Sequence, residues 1–291
     1  MPLPDHLKGV AITGAGVTVL SLDAPLVRLI EADAVTTALW RGVLMALGFA
    51  ALAAVQRRGR LWADVRAFGR YDLLAAMAFA SGNLCFVIGA KLIPVANLLL
   101  FVACTPLATA GMARLLLGER LRPSTLIAIL GAFAGIVVLV AGELRAEADL
   151  IGHLVGLGVT LSSGLFFTLL RRARSSNTGP VLVAAAAIVV LAMLPFAWAP
   201  VMPMASVPYM VLLGLVVIPV AFTLIAQGPR YLPAAEASLL MLLETVFGPV
   251  WAWLLLSELP SPAALFGGVL VLGSVAGHVY VGTRARPAVP G

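Results

Sequence analysis

The sequence predicts an all-α integral membrane protein: ten transmembrane helices, arranged as two inverted five-helix repeats, with both termini cytoplasmic. Three observations carry this expectation. First, 62% of the 291 residues are hydrophobic and 11% are charged, with a mean hydropathy of +1.07. Soluble domains carry about 25% charged residues. This chain cannot cover itself with a water-compatible surface, so its solvent must be lipid. Second, apolar runs of about 20 residues, the length that crosses a bilayer, recur from end to end with short connections. Third, passages of the first half return in the second half in the same order.

The expected spans are 8–28, 35–56, 72–91, 95–117, 124–142, 151–170, 180–199, 207–227, 234–256 and 262–282. Their connections leave no room for an extramembrane domain, so function is expected inside the bilayer. Orientation follows from Lys and Arg, which accumulate in cytoplasmic loops. With the N-terminus inside, three of the 19 basic residues (Arg28, Lys91 and Arg145) fall on the outer side, and Arg41 lies within span 2. The remaining 15 are cytoplasmic. The net charge of +6 therefore reports topology. Its even spread, with no recognition module, argues against nucleic acid as a partner. The longest inner loop, QRRGRLWADVRAFGRYD, reads as an interfacial anchor, with lipid sensing as its alternative. Cys85 and Cys104 sit inside apolar runs and read as small buried hydrophobes. The first apolar run resembles a signal peptide, but it has a partner later in the chain and is expected to stay as span 1.

That partnership is the repeat. GVTVLS at 16–21 answers GVTLSS at 158–163. IPVANLLLFVACTPLATAGMARLLLGERLRP, from Ile93, answers LPAAEASLLMLLETVFGPVWAWLLLSELPSP, from Leu232, without a gap. GAFAG at 131–135 answers GSVAG at 273–277. The halves are 1–145 and 146–291. Five spans per half is an odd number, so the second half enters the membrane from the opposite side. Inverted repeats of this kind are the architecture of secondary transporters, with the substrate site between the halves near the midplane.

The fourth-span ending LLLGERLRP (115–123) and the ninth-span passage LLETVFGPVWAWLLLSE (242–258) resemble the drug/metabolite transporter superfamily, in its ten-helix EamA-type branch. The resemblance covers nearly the whole chain. The family often shows Glu-Pro fourteen residues before a closing Glu. Glu244 and Glu258 keep that spacing, but Thr245 replaces the proline and Pro249 follows a turn later. The resemblance implies a kink displaced by one turn. Within the family the impression is of the YddG kind of amino acid exporter, aromatic amino acids included. No single motif in this chain carries that finer likeness.

Candidate site residues follow from polarity at membrane depth. Glu244 lies near the centre of span 9, where an ionised carboxylate costs about 2.5–3.5 kcal/mol on insertion scales. It must face a watery cavity, pair with a base, or stay neutral. Substrate contact and proton coupling are its functional readings, and holding a kink is its structural one. Asp23 and Arg41 both lie about 8 Å deep at 1.5 Å per residue and are expected to pair as an outer gate or a structural tie. Asn83, Asn97 and Ser81 could bind substrate or join helices. Met241, Phe101 and Trp40 could line the cavity, although helix packing or lipid contact is the commoner use of such residues. Glu236, in the first turn of span 9, complements its helix dipole. Pro106, Pro219 and Pro249 lie mid-span and are expected to bend their helices as hinges. The small faces GAFAG and GSVAG predict that spans 5 and 10 pack closely.

Rival classes fare worse. An intramembrane enzyme needs a nucleophile beside a base, whereas His6, His153 and His278 sit near span ends, far from any central Ser. No filter or repeated charged lining points to a channel, and no GxxxxGK[ST] motif is present to use ATP. No enzyme activity, metal or other cofactor is expected. The expected partners are a small-molecule substrate and membrane lipid, with a monomer sufficient for the mechanism. The sequence points to an amino acid exporter of a bacterial inner membrane working by alternating access. A multidrug exporter of lipophilic cations, with the same fold and one central carboxylate, is the alternative.

Overall fold

The computed structural model describes residues 5–56, 63, 66–92, 98, 101–119, 123–141, 150–173, 178–198, 200–256, 266, 269–277 and 280. Among these the chain is helical with no strand. In order, α1 is Asp5–Leu20, α2 Asp23–Arg28, α3 Ala34–Gln56, α4 Arg70–Leu92, α5 Thr105–Leu117, α6 Pro123–Ala141 and α7 Leu150–Ala173. There follow α8 Gly179–Met193, α9 Val207–Val211, a π turn Leu212–Val217, α10 Ile218–Ile225 and α11 Gly228–Tyr231. Last come α12 Ala234–Leu240, a 3-10 turn Met241–Leu243, α13 Glu244–Leu256 and a helical segment at 269–277.

Six segments are long and apolar enough to cross a membrane: Asp5–Val27, Ala34–Gln56, Arg70–Leu92, Ile151–Ala173, Gly179–Phe196 and Met204–Tyr231. Helices Thr105–Leu117, Pro123–Ala141 and Glu244–Leu256 and the helical segment 269–277 fall on the ranges expected for spans 4, 5, 9 and 10. Large apolar side chains point outward, among them Ile127, Leu115 and Trp198. Such a surface suits lipid and is too apolar for water. Lipid tails are as apolar as leucine, so helix association rests on close packing of small residues.

Two pairs of those close approaches follow the sequence repeat. A Cβ built on Gly16 of α1 would stand 3.0 Å from Leu224 of α10, and one on Gly158 of α7 would stand 2.9 Å from Cys85 of α4. Gly16 and Gly158 are repeat partners, and Cys85 and Leu224 stand 139 residues apart, the offset of the long repeated passage, as do Gly89 and Gly228. Gly89 likewise abuts Leu98 and Val155, while Gly228, its repeat partner, abuts Ala237 and Thr13. The same contact is thus built twice. α4 lies along α7, α1 lies along α10, and α3 packs on α8.

Helix breaks stand just before two of the three prolines expected as hinges. Pro219 is preceded by the π turn Leu212–Val217. A proline cannot donate to the carbonyl four residues back, and the widened turn re-spaces that backbone. Pro106 is not mid-helix: it sits in the first turn of α5, after a turn at Cys104, where its missing N–H costs nothing. Nor does α13 break at Pro249, because it runs on as helix to Leu256. The irregular turn of that span lies earlier, at Met241–Leu243. The Thr245 hydroxyl donates to the Leu242 carbonyl at 2.7 Å and satisfies part of that turn.

Between α2 and α3, Asp33 caps α3. Its Oδ1 accepts the N–H groups of Val35 and Thr36 at 2.9 Å each. Hydrogen bonding from Thr36 holds the Asp33 carboxyl below the usual range.

Expected spans 5 and 10 do meet. A Cβ on Gly131 would lie 3.6 Å from the Ser274 Cβ, inside the ~3.5–4.5 Å window of a disulfide. In a background lacking Cys85 and Cys104, the pair Gly131→Cys and Ser274→Cys is therefore expected to cross-link under mild oxidant. A gel-shift assay checks it, and persistent free thiols in both would contradict the packing.

Candidate functional site

A cavity of about 90 Å³ lies among α1–α5, α7, α10 and the start of α13. One water needs roughly 10–15 Å³ on the same measure, so the space suits a small organic molecule. Asp23, Arg41, Asn83, Thr105, Ser163 and Glu244 bring polar groups to it. Phe79, Phe86, Phe166, Phe167 and Phe222 supply an aromatic wall.

Each polar group is placed by a local break or a helical phase. The first span breaks at Ser21 and Leu22, where the Ser21 hydroxyl donates to the Thr18 carbonyl at 2.7 Å. The break starts α2 at Asp23. The indole Nε1 of Trp251 donates to the Ser21 Oγ at 2.8 Å and ties α13 to the same break. Arg41 reaches Asp23 from the second turn of α3. Nη1 and Nη2 donate to Oδ1 and Oδ2 at 2.8 and 2.7 Å, a fork in which both residues are buried. The guanidinium also stands 5.9 Å from the centre of the Phe86 ring. Asn83 of α4 makes a long contact from Nδ2 to the Met45 sulfur at 4.0 Å. Glu244 is the first residue of α13, set by the 3-10 turn before it.

Four of these rings form a continuous run. The ring of Phe79 meets Phe166 at 5.0 Å and Phe222 edge-on at 4.6 Å, and Phe166 meets Phe167 at 5.6 Å. One turn beyond Phe167, Arg171 pairs with Glu119 at 3.0 Å and donates to the Pro229 carbonyl at 2.8 Å. His6 Nε2 meets Glu236 Oε2 at 3.0 Å between the starts of α1 and α12.

The sequence profile of the EamA-like transporter family matches the chain twice, over residues 8–141 and 150–280. The chain belongs to the EamA-like transporter family. The two matches cover both copies of the internal repeat. A solved crystal structure, 21% identical, superposes with a TM-score of 0.76 over 94% of this chain and 99% of its own. At that identity the likeness speaks for the fold alone. No curated protein sequence matches.

In this EamA-family chain, Glu244, Met241 and Asn83 line the cavity, and so do Asp23 and Arg41, which are paired with each other. Three expected lining residues do not. Ser81 is exposed on the outer face of α4, because two residues turn a helix by about 200° and Asn83 already faces in. Phe101 packs with Leu98 and Val159 in a separate cluster, its ring against Gly156 and 6.0 Å from His153. Trp40 stays 38% exposed, its Nε1 donating to the Pro200 carbonyl at 2.8 Å. Asn97 lies outside the described residues.

Sequence reasoning passed over Thr105, Ser163 and the phenylalanines. For Thr105 a signal existed. The ungapped 93–123 and 232–262 passages place Thr105 opposite Glu244, so the two central positions of the repeat both face the cavity. Ser163 likewise answers Ser21. The phenylalanines carried no signal beyond their apolarity.

Proposed function

We propose that this transporter carries amino acids, aromatic ones included, and related small metabolites outward across a bacterial inner membrane by alternating access. The observation that carries the reading is a cavity lined by a guanidinium, Arg41, and a carboxyl group, Glu244, beside an aromatic wall. A zwitterion with an apolar side chain has the complementary chemistry. A lipophilic cation would need the carboxylate and the rings but not the arginine. Halves 1–145 and 146–291 act as inverted repeats that exchange conformations, a reading supported by contacts built twice across the helix pairs. Both termini are cytoplasmic, in keeping with the bias of Lys and Arg. Asp23–Arg41 acts as the outer gate, and the turns before Pro219 and Glu244 act as hinges. The outward direction rests on the resemblance to amino acid exporters.

Proteoliposomes loaded with labelled phenylalanine, leucine or a quaternary amine, with and without a pH gradient, test this. Amino acid flux is expected. Glu244→Gln is expected to lower it by about tenfold or more, the worth of one charged hydrogen bond. Movement of the amine with no movement of any amino acid would replace this reading with cation export.

A further inference from the structure

Three buried polar atoms on the cavity residues have no hydrogen-bond partner among the described residues: Arg41 Nε, Asn83 Oδ1 and Thr105 Oγ1. Their parent residues are 2%, 8% and 3% exposed. Unsatisfied buried groups of this kind are rare and call for an explanation. One is a cationic donor, one is an acceptor, and the hydroxyl is both. Glu244 adds a carboxylate to the same cavity. The set is chemically sorted: acceptors for an ammonium, and donors for a carboxylate.

The donor side carries a complication. A guanidinium matches a carboxylate best through a two-pronged fork, and in Arg41 that fork is already engaged by Asp23. The Nε edge and the Thr105 hydroxyl are left over for a substrate carboxylate, but the fork itself is contested.

On the reading of the cavity as an amino acid site, we propose that Asp23 is an internal competitor for the substrate's carboxylate, the two sharing Arg41, while Glu244 and Asn83 Oδ1 receive the ammonium. Substrate binding then has a structural consequence. Asp23 opens α2 directly after the break in the first span, and Arg41 belongs to α3. A carboxylate that takes over the fork releases one helix from the other. Recognition of the substrate and release of the gate become a single exchange of carboxylates on one guanidinium. The competition also sets selectivity. An amine without a carboxylate can occupy the Glu244 side but leaves the Asp23–Arg41 tie closed. An acid without an amine must displace Asp23 with no ammonium to engage Glu244.

The test uses the full chain in lipid nanodiscs and three probes: phenylalanine, 2-phenylethylamine and 3-phenylpropanoate. Binding is read by calorimetry and by the shift of the thermal unfolding midpoint. In the wild type phenylalanine is expected to bind tightest and 3-phenylpropanoate weakest. Asp23→Asn is expected to strengthen 3-phenylpropanoate by roughly tenfold or more and to change 2-phenylethylamine by much less. The acid should also raise the unfolding midpoint of this variant more than that of the wild type, because it re-pairs Arg41. Asn83→Ala does not disturb the ion pair. It is expected to weaken phenylalanine and 2-phenylethylamine together while sparing 3-phenylpropanoate, and it decides the matter should Asp23→Asn not fold. Unchanged acid binding in Asp23→Asn, or weakened acid binding in Asn83→Ala, overturns the competition while phenylalanine binding upholds the amino acid site. Failure of the wild type to bind phenylalanine overturns both.

Discussion

Replacing Arg41 by alanine is expected to destabilise the protein by about 3–5 kcal/mol, the cost of leaving one member of a buried ion pair behind. The reason lies in the burial on both sides: Asp23 and Arg41 are 3% and 2% exposed, so water does not screen what remains. Asp23→Arg should be at least as damaging, because it buries two like charges side by side. The double reversal, Asp23→Arg with Arg41→Asp, restores opposite charges across the same helix pair and should recover most of the loss. Coupling between directly contacting residues is large and non-additive, which makes the cycle informative where either single change is not. Thermal unfolding of the detergent-purified protein, together with amino acid flux, reads the four variants. A double reversal as unstable as the worse single one would mean that the fork holds nothing together.

Asp23–Arg41 was legible because depth can be counted. Both residues lie a similar number of helical rises from the same expected membrane face, and two opposite charges at one depth need each other. Glu244 was legible for a related reason, as a lone carboxylate at mid-membrane. The repeat was legible as spelling, and its physical content appears in contacts such as Gly16 on Leu224 and Gly158 on Cys85. What hydropathy cannot supply is helical phase. In a soluble helix the polar face marks the outside. In lipid, both faces are apolar, so nothing in the composition separates Phe101, which packs on Gly156, from Phe79, which lines the cavity. Asn83 could have set the phase of α4 and excluded Ser81, two residues away. Trp40 is the immediate neighbour of Arg41, about 100° round the helix, so one of the two had to turn away.

The breaks divide in the same manner. The π turn precedes a proline and so had a cause visible in the letters. The turn at Met241–Leu243 falls in LLMLLE, which contains neither Gly nor Pro. The turn packs on α1, and Trp251 of the helix that follows reaches Ser21. A local pattern does not encode it. The closing Glu258, which carries part of the family resemblance, lies outside the described residues.

Gly48→Val is expected to cost at least the ~1–3 kcal/mol typical of overpacking and to abolish transport. A Cβ on Gly48 would stand 2.5 Å from the Pro219 Cγ and 2.6 Å from the Leu215 carbonyl oxygen. The ring could move by itself, but the carbonyl is backbone and cannot yield without shifting the span. Leu215 is also the residue four before Pro219, so its carbonyl is the one that proline cannot serve. It lies within the π turn. The absence of a side chain at 48 therefore lets α3 close onto the part of the expected eighth span whose backbone is least held. Alanine at 48 meets the same carbonyl with its Cβ and should lower stability measurably, while valine adds two methyl groups to the clash. Gly14→Ala is the control. Nothing stands within 4 Å of a Cβ there, and removing a helical glycine should stabilise by about 0.5–1 kcal/mol. Thermal unfolding midpoints rank the three, and flux assays separate a locked hinge from a merely weakened fold. If transport fails in Gly48→Ala at a temperature where the protein remains folded, the π turn moves during the cycle. If Gly48→Val unfolds at the wild-type midpoint, the contact between α3 and the Pro219 bend is not the tight one described.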